Sequence, residues 1–224
     1  MTTHCKTCAV RDRAICAGLD EQGLAELSRI GRIRHLARGE TLAWEGDDSI
    51  ACANLIAGVI KLGASTADGR EQTVALLYPA DVVGRPYAEE TGFTATALTD
   101  AALCVFPRRG FERMLDTHPP MERMLLARTL TALDEARQRM LTLGRRSAAE
   151  RVAGMLIEMS DRLEATGRTF QLPLTRGEMA EVLGLTIETV SRQLTRLKRA
   201  GTIALSGARG VAILDRDALE VEAG

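Results

Sequence analysis

Leu174-Thr-Arg-Gly-Glu-Met-Ala-Glu-Val-Leu-Gly-Leu-Thr-Ile-Glu-Thr-Val-Ser-Arg-Gln-Leu-Thr-Arg-Leu-Lys-Arg-Ala-Gly201 reads as two helices joined by a tight turn at Gly184-Leu185-Thr186. Thr175 and Thr186 stand where N-caps are needed, because a hydroxyl there accepts from an otherwise unpaired amide of the first turn. Met179, Ala180 and Leu183 face Leu185 and Val190, with small Ala180 where the helices approach closely. In the second helix Ile187, Val190, Leu194 and Leu197 recur at helical spacing as the expected buried stripe. The other face carries Glu188, Ser191, Arg192 and Thr195, hydrogen-bonding groups of the kind that read base edges. Gln193 stands where such motifs usually have an apolar residue. The pattern is a helix-turn-helix, whose second helix enters the DNA major groove. An αα-hairpin inside a helical bundle is the plainer alternative.

The surroundings suit phosphate. From Thr189 through Leu214 the chain has Arg192, Arg196, Lys198, Arg199 and Arg209 and no acidic residue, although its 224 residues sum to a net charge of only −1. A merely solvated face would intersperse acids; this one is a local positive patch beside the reading helix. Downstream, Thr202–Leu205 and Val211–Leu214 flank the turn Ser206-Gly-Ala-Arg-Gly210, a β-hairpin wing with Arg209 at its tip placed to touch phosphate. The expected DNA-contacting set is Thr175, Thr186, Glu188, Thr189, Ser191, Arg192, Arg196 and Arg209.

Upstream, Ser147–Thr166 is an amphipathic helix with Val152, Met155, Leu156 and Met159 on its apolar side. Residues 110–144 are a long helical stretch interrupted at Pro119-Pro120. In it Leu126, Leu133 and Met140 recur every seven residues, with Thr129, Ala136 and Leu143 three residues after each. That a/d stripe, flanked by Arg128, Asp134, Glu135, Arg137 and Arg139, favours a dimer seam over packing on its own domain. Between residues 32 and 107 short apolar runs (Thr41–Trp44, Asn54–Ile56, Val59–Leu62, Thr73–Tyr78, Ala101–Phe106) alternate with turn signals at Gly39, Gly46-Asp47, Gly58, Asp68-Gly69 and Pro79. Such spacing predicts an antiparallel sandwich or small barrel. Residues 20–34 begin as a short helix with Leu24, Leu27 and Ile30 on one side.

The N-terminus holds His4-Cys-Lys-Thr-Cys-Ala-Val-Arg-Asp-Arg-Ala-Ile-Cys16, with three of the five cysteines. No apolar run approaches the ~20 residues needed to span a bilayer, and cysteines stand where a secretory segment would be apolar. The expected location is the cytoplasm, with no membrane partner, where spaced thiols suggest metal or redox chemistry rather than disulfides. The Cys5–Cys8 pair and Cys16 can chelate a metal or a cluster. Zinc would be satisfied locally by Cys5, Cys8, Cys16 and His4, whereas a cluster would want a fourth thiolate from elsewhere. Spacing alone leaves both open. Cys52, alone in a strand, reads as a small buried hydrophobe.

The order of elements, together with Leu-Gly-Leu-Thr-Ile-Glu-Thr-Val-Ser-Arg at residues 183–192, resembles the CRP/FNR family of bacterial transcription regulators over residues 5 to 216. The resemblance implies an α+β chain: a cysteine segment at 1–18, an antiparallel β-roll at 19–110 (a jelly roll of cyclic-nucleotide-binding type), a dimerisation helix at 111–145 and a winged helix-turn-helix at 146–224. The Glu-x-x-Ser-Arg form is similar to the FNR branch. It implies that Glu188, Ser191 and Arg192 contact a palindrome resembling TTGAT-N4-ATCAA, that the active form is a homodimer on double-stranded DNA, and that RNA polymerase is a partner. It further implies an oxygen-labile [4Fe-4S] cluster on three N-terminal cysteines and one β-roll cysteine. Ala97-Leu-Thr-Asp-Ala-Ala-Leu-Cys104-Val-Phe-Pro107 occupies the place of that internal ligand, so the implied set is Cys5, Cys8, Cys16 and Cys104. Cys-x2-Cys-x7-Cys is similar to FNR-like regulators of alphaproteobacteria. Nucleotide-binding members carry a Gly-Glu-Leu turn and an Arg-Ser pair. Here the matching stretches are Gly84-Arg85-Pro86 and Phe93-Thr94-Ala95-Thr96, so no cyclic nucleotide is expected. The same regulator with structural zinc or a direct thiol switch is the alternative. An iron–sulfur electron carrier or enzyme ranks last, because no nucleophile–base pair or phosphate loop is visible and His4, His35 and His118 are scattered.

Overall fold

The computed structural model describes residues 5, 7–65, 69, 71–163 and 169–224. His4, Asp68 and Thr166, each named above, lie outside the described residues. The chain forms two compact units, Met1–Gly69 with Val74–Glu135, and Arg70–Thr73 with Ala136–Gly224.

In the first unit α1 (Glu21–Ile30) is capped by Asp20, whose carboxylate accepts from the Gly23 amide at 2.8 Å, and it buries Leu24 and Leu27. Eight strands follow: β1 (Arg32–Leu36), β2 (Thr41–Ala43), β3 (Ala51–Ala57), β4 (Ile60–Ser65), β5 (Glu71–Leu77), β6 (Val82–Val83), β7 (Thr94–Ala97) and β8 (Ala101–Pro107). They make two antiparallel sheets, in the orders β1-β8-β3-β6 and β2-β7-β4-β5. Leu36, Leu55, Ile60, Ala95, Ala97 and Leu103 fill the roll core. The five expected apolar runs all fall in strands. β1, β6 and β7 were not expected; β6 is only two residues long. Arg32, Arg34 and His35 make β1 read as polar, and the small residues of β7 give little apolar signal.

The proline break divides the next helical stretch in two. α2 (Arg108–Thr117) buries Phe111, Met114 and Leu115. α3 (Pro119–Arg145) runs 27 residues and starts at the proline, which suits the first turn of a helix where no amide partner is needed. Of the residues of α3, only Met121 is fully buried, among Ile15, Leu19 and Phe111.

In the second unit α4 (Ala148–Arg162) opens on a capping box between Ser147 and Glu150. After β9 (Thr169–Gln171) come α5 (Arg176–Leu183) and α6 (Ile187–Arg199), then β10 (Ile203–Ser206), β11 (Gly210–Ile213) and a final α7 (Arg216–Ala223). The wing is a three-stranded sheet, β10-β11-β9, one strand more than the expected hairpin. α7 was also unforeseen. Asp215 caps it and Arg216 pairs with Asp161 at 2.7 Å, holding it to α4. Arg151 donates to the carbonyls of Leu143 and Leu183 at 2.7 and 2.9 Å, so one guanidinium satisfies the ends of α3 and α5 together.

Candidate DNA-reading face and cysteine cavity

The turn between α5 and α6 is fixed by backbone chemistry. Gly184 closes α5 at φ 60°, a left-handed conformation that a side chain would strain. Thr175 and Glu178 form a capping box on α5, with the Thr175 hydroxyl accepting from the Glu178 amide at 3.2 Å. Thr186 caps α6 by accepting from the Thr189 amide at 3.3 Å, and its hydroxyl donates to that of Thr189 at 3.2 Å. Val190, Leu194 and Leu197 are buried. Ile187 is not: it is 52% exposed, because the first residue of α6 sits at the rim of the domain, with its Cδ1 over Gly177. The buried stripe therefore begins at Val190.

Glu188 and Arg192 face solvent. The Glu188 carboxyl is held below the usual carboxylate range by its own backbone amide and then by the Thr186 hydroxyl. It stays a pure acceptor at neutral pH, as a cytosine amino group requires. Arg192 reaches the Thr189 hydroxyl at 3.5 Å and is otherwise extended outward. Ser191 accepts from Arg176 at 3.2 Å. Arg176, the first residue of α5, thus joins the reading face; its only sequence signal is a basic residue beside a cap. Thr195 donates its hydroxyl back to the Ser191 carbonyl at 2.8 Å. Arg209 lies half-buried at the end of the wing turn, its carbonyl accepting from the Leu172 amide at 2.9 Å. Arg196, expected in the DNA-contacting set, forks onto Glu222 of α7 at 2.5 and 3.2 Å and donates from Nε to Gln193 at 3.0 Å. That also accounts for Gln193, which orients Arg196 at the edge of the core.

Strand alternation builds the second site. Ile33 and His35 of β1, Ala102, Cys104 and Phe106 of β8, and Asn54 and Ile56 of β3 line one cavity on the outer face of their sheet. The Cys5–Cys16 segment covers this face, anchored by buried Val10, Ala14 and Ile15. The cavity is about 300 Å³, and Cys5, Cys8, Cys16 and Cys104 all line it. Burial pushes the Cys104 thiol up to about 12, with Cys5, Cys16 and Cys8 adding to the rise. Burial and then Cys8 push Cys16 up to about 11. Both therefore stay protonated at neutral pH. Cys52 lies two register pairs further along, opposite Phe106 and outside the cavity, 1% exposed, in the core with Phe106, Phe111 and Met121. Among the described residues no three cysteine, histidine or acidic side chains converge on a single-ion position. A lone zinc needs every donor at ~2.0–2.3 Å. Cys5, Cys8, Cys16 and Cys104, which share the wall of one cavity, are the residues that would hold a cluster.

The segment also touches α3. A Cβ on Gly18 would stand 2.8 Å from the Pro120 carbonyl oxygen. Arg128 of α3 donates to the Arg13 carbonyl and sits 3.8 Å from Asp81.

Residues 33–118 match the model of the cyclic nucleotide-binding domain, and residues 150–222 that of the Crp-like helix-turn-helix domain. The chain is 44% identical to the transcriptional activator protein FnrL of Cereibacter sphaeroides, over 99% of this chain and 92% of that one. The chain belongs to the CRP/FNR family of transcription regulators. Within it, the nitrogen fixation regulation protein FixK of Bradyrhizobium diazoefficiens is 37% identical over 94% of this chain and 90% of its own. The solved structure of FixK2 from Bradyrhizobium japonicum matches at a TM-score of 0.82 and 31% identity, covering 87% of this chain and 98% of that one. Like other CRP/FNR members, the protein is a helix-turn-helix DNA-binding transcription regulator. Among its described residues no helix is long and apolar enough to cross a membrane.

In this CRP/FNR chain the stripe on α3 is open to solvent. Leu126, Thr129, Leu133, Ala136 and Met140 are exposed, Met140 by 73%, and Leu143 is half-buried. Leu130 and Leu141 are exposed beside them and were missed. Leu130 follows Leu126 by one helical turn, a spacing that the strict heptad count passes over. The cavity wall has one tight point. A Cβ on Gly31 would stand 2.8 Å from Phe106 and 3.1 Å from the Cys104 sulfur, and Phe106 is braced by Phe111 at 5.6 Å. Gly31→Ala is therefore expected to cost ~1–3 kcal/mol through overpacking, a melting temperature lower by roughly 2–10 °C. Gly144→Ala on α3, where a Cβ meets nothing within 4 Å, is the control expected to hold or raise it.

Proposed function

We propose that this regulator senses oxygen through a [4Fe-4S] cluster held by Cys5, Cys8, Cys16 and Cys104, and that the loaded form dimerises through α3 to bind a TTGAT-N4-ATCAA-like palindrome. The observation that carries this reading is the cavity: four thiols line it, and the segment forming its outer wall is fastened to the dimer helix. When bound, the cluster would supply an oxygen-labile group, and Cys5, Cys8 and Cys16 of the segment with Cys104 of β8 would hold it. The chain's own residues do the rest. Gly18 and Met121 hold the segment against the first turns of α3, and Arg128 ties its Arg13 carbonyl to the flank of the seam. The position of the segment and the presentation of Leu126 and Thr129 are therefore coupled, which is the form a redox switch on a marginal interface requires.

The seam matters because one reading helix is not enough. Each base pair contributes only ~1–3 kcal/mol of discrimination, so Glu188, Ser191 and Arg192 from two protomers read a twofold site. RNA polymerase is the expected protein partner and the cytoplasm the expected location. Cyclic nucleotide is not the expected ligand: Arg85 lies over Gly92 where nucleotide-binding members place a carboxylate.

The direct test is anaerobic purification with iron and sulfide analysis and a visible spectrum before and after air. A brown protein that bleaches in air supports the reading. A colourless protein without iron or sulfide overturns it, and zinc in its place selects the alternative. The seam has its own test. Leu133→Glu places two carboxylates face to face across the proposed dimer, a burial of unpaired charge. The variant is expected to sediment as a monomer under anaerobic conditions and to lose ~100-fold or more in operator affinity.

A further inference from the structure

Among the described residues two buried side-chain oxygens have no hydrogen-bond partner, those of Thr73 and Asn54, and of these only Asn54 lines the cysteine cavity. It lies on β3, directly opposite Cys104 of β8, and lines the cysteine cavity. It is 3% exposed, and its side-chain oxygen is enclosed without a hydrogen-bond partner among the described residues. Its neighbours on the cavity wall include Ile56, Ala102 and Phe106. An amide buried among apolar groups costs free energy unless it bonds, so a leucine there would make a more stable roll. As placed, the unpaired atom is an acceptor; with the carboxamide flipped, an electron-rich group in the cavity would pair with its N–H instead. A carboxamide has two N–H donors and no charge, and a half-turn about its last torsion exchanges its oxygen and nitrogen without changing its shape. Thiolate and sulfide sulfurs are acceptors of that kind.

We propose that Asn54 is a positioning residue for the group in this cavity: its carboxamide N–H bonds the Cys104 thiolate or an adjacent cluster sulfide and tunes that group's reduction potential. This rests on the cluster reading above and deepens it. A hydrogen bond to sulfur favours the more negative, reduced state, so removing it lowers the potential and eases oxidation.

The test uses the full chain, reconstituted anaerobically with ferrous iron and sulfide. Asn54→Leu keeps the branched shape at a larger volume and removes the donors; Asn54→Ala removes them without any risk of a clash. The metal-free Asn54→Leu protein is expected to melt above metal-free wild type, because the unpartnered amide is gone. Loaded, both variants are expected to hold the wild-type content of iron and sulfide, to show a lower reduction potential, and to lose their visible absorption in air about fivefold faster, the size of one hydrogen bond. Variants that load fully but match wild type in potential and air decay overturn the proposal. A wild-type chain that takes up no iron or sulfide overturns the cluster reading itself, a distinct result.

Discussion

Cys104→Ala is expected to leave anaerobically purified protein almost free of iron and sulfide, with its fold intact and its operator affinity down by roughly 100-fold, the scale of a lost dimer interaction. Cys5, Cys8 and Cys16 all come from one segment, and Cys104 alone stands on the sheet that the segment covers. Without it the remaining three thiols have nothing to close against. The fold should survive because the Cys104 side chain faces the cavity rather than the roll core, which Leu103 fills instead. Cys52→Ala supplies the contrast. It sits in the packed core with Phe106 and Phe111, so its loss should lower the melting temperature and spare the iron. Full iron content in Cys104→Ala, measured with circular dichroism to confirm folding, would sink the assignment of the fourth ligand.

The second large effect is at the reading face. Arg192→Ala is expected to weaken binding to the palindrome by about 30-fold to 10⁴-fold, since a forked arginine–guanine contact contributes ~1–3 kcal/mol and the dimer makes two. Binding to unrelated DNA should change little, and the variant should melt like wild type, because the side chain touches only the Thr189 hydroxyl, at 3.5 Å. Competition titrations with operator and scrambled duplex separate the two. Equal losses on both would make Arg192 a phosphate contact. Arg196→Ala should behave oppositely, lowering stability through the lost Glu222 fork while sparing the preference for operator.

Arg196 also shows where sequence reading stops. The helix-turn-helix was legible because caps, a glycine turn and a 3.6-residue period are local signals. Glu222 lies on α7, 26 residues from Arg196, and nothing in the spacing of either announces the other. The cavity was half-legible for the same reason. Three cysteines are neighbours in the chain, but the spacing left zinc and cluster equal. Cys104 entered only through the resemblance of its flanking string. What brings Cys104 under the segment is the alternation of β8 and its pairing with β1, the strand whose charged residues hid it. Asn54 gave no signal at all, because an unpartnered amide is a property of the packed roll and not of any motif. Ile187 failed differently: it has the right period but sits at a helix end, where period no longer implies burial.

Arg151 has a mechanical consequence. Because its guanidinium holds the last carbonyls of α3 and α5 at once, the C-terminal turn of the seam helix and the first helix of the reader turn as one piece. Within the second unit, loss of that one side chain would therefore loosen two helix ends at once, that of α3 and that of α5.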